Sequence, residues 1–73
     1  MPNLQPGDFV VLLSIPPLLI RGLPDEDQAA IRDAVGKRVL FAGFSYGKAE
    51  IGFKDSHGDD HTIWVDTDQI APA

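Results

Sequence analysis

Gly47 through Ala73 reads GKAEIGFKDSHGDDHTIWVDTDQIAPA. From Lys48 to Lys54 the residues alternate, with Ala49, Ile51 and Phe53 on one face and Glu50, Gly52 and Lys54 on the other. That is the period-two pattern of a strand with one dry and one wet side. Asp55-Ser56-His57-Gly58-Asp59-Asp60 is made of turn residues and forms the tip of a hairpin. His61 to Val65, rich in β-branched and aromatic side chains, returns as the next strand. Asp66 to Ile70 then reads as a single 3₁₀ turn, and Ala71-Pro72-Ala73 as a short final strand or tail.

Working back toward the N-terminus, Lys37 to Phe44 is a strand in which Gly43 permits a bend or bulge, and Ser45-Tyr46-Gly47 turns the chain into the stretch above. Leu23-Pro24-Asp25-Glu26-Asp27-Gln28 is a helix start: proline suits the first turn, the acids suit the positive end of the helix dipole, and Asp25 with Gln28 has capping-box spacing. The helix is expected over about Asp25 to Val35, with Ala30, Ile31, Ala34 and Val35 on its apolar face and Gly36 at its left-handed C-terminal cap. Pro6-Gly7-Asp8 opens a first strand, Phe9 to Leu13. Ile15-Pro16-Pro17-Leu18-Leu19-Ile20 cannot continue it as a central strand, since each proline removes a ladder donor.

A strand opened by Pro-Gly-Asp, a long first connection, a strand begun at a glycine, a glycine turn, a third strand, a polar hairpin and TIWVDTDQIAP together resemble a Src-homology-3-like small β-barrel over nearly the whole chain. The chain also resembles small stand-alone bacterial proteins with an Ile-Pro-Pro turn, a Leu-Pro-acidic helix start and an Ile-Trp-Val strand, for which no activity is assigned. The resemblance implies a mainly β fold, a barrel of about five strands with one helix inserted between strands one and two. Barrels of this kind are mostly binding modules. The paired tyrosines and tryptophan doublet of a polyproline groove are absent, Tyr46 and Trp64 standing alone, so proline-peptide binding is not carried over.

Length and charge bound the rest. A chain of 73 residues with 44% apolar and 23% charged side chains is expected to form one small globular domain, residues 1–73. It has no cysteine for a disulfide or thiolate zinc site, and nothing in it calls for a cofactor. The start, Met1 to Pro6, lacks the features of a signal peptide, and the apolar run Phe9 to Ile20 is short and proline-broken, so the expectation is a cytoplasmic chain without a membrane partner. The formal charge is -5, from 11 acids against 6 scattered bases, which argues against a nucleic-acid partner.

Four groups of residues carry the functional expectations. His57 and His61 flank Gly58-Asp59-Asp60; were those three the loop, the imidazoles would be cross-strand neighbours roughly 5 Å apart at Cβ and, with Asp59, could offer a metal site. The alternative is a solvated tip. Ser45, Ser56 or Thr62 could serve as nucleophiles only with an elbow or oxyanion site that the sequence lacks, so no enzyme activity is expected. Trp64 points outward as a partner anchor if Ile63 and Val65 point inward; otherwise it fills the core or covers Gly52. Ile15, Leu18 and Leu19 either cap the core beneath the helix or form a patch for self-association, and Tyr46 could extend such a patch. The leading expectation is a small protein-interaction module with an unidentified protein partner or a second copy of itself. A metal- or small-ligand-binding accessory role and an acidic, immunity-type antidote are the alternatives.

Overall fold

Period-two alternation marks out the strands of this chain. A computed structural model describes residues 4–73; residues 1–3, part of the stretch read for a signal peptide, lie outside the described residues. The elements run β1 (Phe9–Leu12), α1 (Asp25–Ala34), β2 (Arg38–Ser45), β3 (Lys48–Lys54), β4 (Asp60–Val65), a 3₁₀ turn (Thr67–Gln69) and β5 (Ile70–Pro72). The strands form one antiparallel sheet in the order β4-β3-β2-β1-β5.

That order corrects the expected Src-homology-3-like barrel. The sheet is open, with β4 and β5 as its two edges and no ladder between them. Closure needs the last strand to bridge both ends of the sheet with matched tilt and stagger. Here β5 has three residues, includes Pro72 with no N–H to give, and is committed to β1 through Val10↔Pro72, Val11↔Ala71 and Leu12↔Ile70. The likeness to the barrel family therefore extends to the strand count and the inserted helix only.

One face of the sheet is the core. Val10, Leu12, Val39, Phe41, Ala49, Ile51, Ile63, Val65 and Ile70 are buried there, joined by Ile31 and Ala34 from α1. Fully burying an aliphatic or aromatic side chain stabilises the fold by about 1.5–3 kcal/mol, so this face carries most of the stability. Phe53, expected inside, is half-buried against the cluster. A bulge between Phe41 and Gly43 slips the register by one residue, so Phe41 and Phe44 share a side and their rings meet edge-on at 4.9 Å.

Helix α1 ends where Gly36 takes a left-handed φ of +86°, as its position suggested. The Gly36 N–H donates to the Leu12 carbonyl at 2.6 Å, and the Leu12 N–H donates to the Lys37 carbonyl at 3.1 Å, tying the helix end to β1. The expected Asp25–Gln28 capping box is not formed. Pro24 occupies the N-cap, placing Asp25 inside the first turn, and Gln28 Nε2 donates instead to the Leu23 carbonyl at 2.9 Å. A side-chain cap of that spacing forms at the 3₁₀ turn, where the Asp66 N–H donates to Gln69 Oε1 at 2.9 Å. The Ile-Pro-Pro segment folds as two turns, closed by the Leu19 N–H on the Pro16 carbonyl and the Leu23 N–H on the Ile20 carbonyl.

Candidate binding face

The face opposite the core is bare, and the ladder register defines it. Phe9 on β1 stands opposite Leu40 on β2, Leu40 opposite Gly52 on β3, and Gly52 opposite Thr62 on β4, one row across four strands. Glu50 and Trp64 form the neighbouring pair, Lys54 and Asp60 the next. Phe9, Leu40, Thr62 and Trp64 are all exposed. The Arg38 guanidinium lies over the Phe9 ring, 4.9 Å from its centroid.

Because Ile63 and Val65 are buried, alternation turns Trp64 to this outer face, where it is 46% exposed. The two structural roles open to it in the sequence are not filled. It is not in the core, and no Trp64 atom lies within 4 Å of where a Cβ on Gly52 would stand. The nearest atom to that point is the His61 carbonyl oxygen, an ordinary contact at 3.6 Å, and Gly52 does not have a left-handed φ. Neither backbone conformation nor crowding requires a glycine at 52. Its effect is to leave a notch in the row between Leu40 and Thr62.

The hairpin tip is organised by Asp55. Its Oδ1 accepts the N–H of His57 at 2.8 Å and of Asp59 at 3.0 Å, and its Oδ2 meets His61 Nε2 at 2.8 Å. The hydrogen bond with His61, followed by that with Asp59, holds the Asp55 carboxyl at a pKa of about 2, below its ordinary 3.8. The side chains of Asp55 and His61 are only 14% and 16% exposed. The condition for pairing His57 with His61, a loop of Gly58-Asp59-Asp60, is not met: the loop spans residues 55–59, so His61 faces Phe53 and stacks on its ring at 5.3 Å, while His57 lies in the exposed loop. Asp59 is exposed beside it. Among the described residues, no group of three His, Cys, Asp or Glu is placed to hold a metal ion.

The remaining expected residues scatter. Ile15 and Leu19 are half-buried against the core, while Leu18 between them projects with 73% of its surface exposed. Tyr46 is fully exposed in the two-residue β2–β3 turn and, like Gly47, has a positive φ, +52°. Type I′ turns require this of both central residues, and a tyrosine adopts it at a steric cost. Exposed ion pairs join Lys48 to Asp66 and Lys54 to Asp60, and add little stability. Phe9 and Leu40 were not singled out by sequence, although their signal was present: inward Val10 and Val39 oblige both neighbours to point outward.

The chain is thus an open five-stranded antiparallel sheet with a short helix on one face and a partly apolar second face uncovered. No family model, curated protein or solved structure matches it. No helix among the described residues is long and apolar enough to cross a membrane.

Proposed function

We propose that this chain is a non-catalytic protein-interaction module that receives its partner on the outer sheet face around Gly52. The observation that carries this reading is Gly52 itself. A glycine in a strand interior costs about 0.5–1 kcal/mol relative to alanine, and nothing in its backbone or surroundings requires one. Such glycines mark places where a ligand or another backbone approaches closely. The notch is bordered by Leu40 and Thr62, with Phe9 and Trp64 nearby and Arg38, Glu50, Lys54 and Asp60 as a rim of mixed charge. An apolar centre with a charged rim is the usual anatomy of a protein contact. The partner that fits is a protein surface that inserts a side chain at the notch and meets both signs of charge around it.

Leu40→Glu places a charge beside the notch without touching the core. Immobilised wild-type chain is expected to retain a discrete protein from an extract of its source cells, identified by mass spectrometry, and the Leu40→Glu chain to lose it while melting at the same temperature. Retention of the same protein by both chains would overturn the assignment to this face.

A further inference from the structure

The two edges of the open sheet differ in what they can pair with. In an antiparallel ladder, residues alternate between exchanging hydrogen bonds with their neighbour and directing both backbone groups away from it. The Asp55 N–H donates to the Asp59 carbonyl at 3.0 Å, which sets the phase for the β3–β4 pair. Two residues further on, Phe53 with His61, Ile51 with Ile63 and Ala49 with Val65 are the bonded pairs. The other side of the sheet agrees in phase, since the Phe41 N–H donates to the Asp8 carbonyl and the Phe41 carbonyl accepts from Gly7, leaving Leu40 to bond toward Gly52. It follows that Asp60, Thr62 and Trp64 direct their N–H and C=O groups off the free edge of β4. Among the described residues no backbone hydrogen bond outside the helices and ladders reaches them.

We infer that β4 pairs antiparallel with β4 of a second copy of this chain, about a two-fold axis at Thr62. The register is set by the free groups. With Thr62 opposite Thr62 of the second copy, Asp60 falls opposite Trp64 and Trp64 opposite Asp60, so all three outward-facing residues exchange hydrogen bonds at once. Shifting the two-fold register by one step leaves part of the set unpaired. A threonine pair at the centre is a favourable cross-strand contact. The two Asp60 carboxylates are then separated by four residues along the strand, about 13 Å at about 3.3 Å per residue, beyond the screening length of about 8 Å at physiological salt. The opposite edge cannot substitute for β4: β5 is three residues long and Pro72 there has no N–H. Pairing of β4 with β5 of another copy would build an open filament, whereas β4 with β4 closes as a dimer. The product is a continuous sheet in which the outer faces of both copies, and both Trp64 rings, lie on one side. This inference stands on the backbone of an edge and not on the outer-face reading, so each can fail without the other.

A contact one strand wide is smaller than a standard interface, so the dimer is expected to form in the micromolar range or above, and sedimentation equilibrium from about 10 μM to about 1 mM covers it. The full chain is expected to approach twice the monomer mass as concentration rises. Thr62→Lys and Thr62→Glu, which alter an exposed side chain and no internal hydrogen bond, are each expected to remain monomeric, because the register places like charges directly opposite. Mixed in equal amounts, they are expected to recover the dimer. On the wild-type chain, amide exchange of Thr62 and Trp64 is expected to slow with concentration while that of Ile63, already bonded to Ile51, does not change. A chain monomeric throughout, a dimer indifferent to both Thr62 variants, a mixture that stays monomeric, or amides indifferent to concentration would each overturn the proposal. Continued loss of partner capture by Leu40→Glu in any of those cases would leave the outer-face reading standing.

Discussion

The two faces of the sheet are built from the same strands and differ in what their apolar side chains achieve. On the inner face, Val10, Val39, Phe41, Ile51 and Ile63 are buried in one cluster with Ile31 and Ala34 of α1. On the outer face, Phe9, Leu40 and Trp64 occupy alternate positions of the same strands and remain exposed, with a glycine among them. Inner residues are fixed by packing. Outer residues are about half covered in the monomer, and on the function proposed above their remaining surface meets a partner. On the proposed function, the contrast separates stability from recognition within a chain of 73 residues.

The largest effect belongs to the inner face. Phe41, the largest fully buried side chain, borders the bulge, and Phe41→Ala is expected to cost about 3–5 kcal/mol. Urea melts would measure it; a loss under about 1 kcal/mol would erase the distinction between the faces. Next comes the hairpin tip, where the inner face extends through Phe53 and His61 to Asp55. A carboxyl whose pKa is depressed on folding stabilises the fold above its ordinary value and loses that contribution as pH falls through the folded value. For Asp55 this window runs from about pH 4 down to about pH 2. Wild-type chain is therefore expected to weaken across it more steeply than Asp55→Asn, in denaturant melts at pH 5 and pH 2. Equal slopes for the two chains would remove Asp55 from its organising role.

Alternation, turn residues and the Gly36 cap made most of the elements legible in sequence, because each depends on neighbours within a few positions. Openness of the sheet was not legible. It depends on whether Ile70–Pro72 pairs with β1 alone or also with β4, and no local pattern encodes a partner some 60 residues away. The spacing Asp-x-x-Gln occurs at both Asp25 and Asp66, and only the position of Pro24 at the N-cap decides that the first makes no box. The tip was legible from its turn chemistry at Asp55 to Asp60, but the pairing across it was not: with residues 55–59 as the loop, His61 meets Phe53 and not His57. Trp64 was resolvable only once Ile63 and Val65 were placed.

The smallest change in stability carries the most direct test. Gly52→Thr adds a β-branched side chain where a Cβ meets only an ordinary 3.6 Å contact, and fills the notch. The midpoint of urea unfolding and partner capture should be measured together on wild-type and Gly52→Thr chains. Stability is expected to rise by about 0.5–1 kcal/mol while capture is lost. Stability raised with capture intact, or stability lowered, would contradict the claim that residue 52 is a glycine for recognition and not for folding.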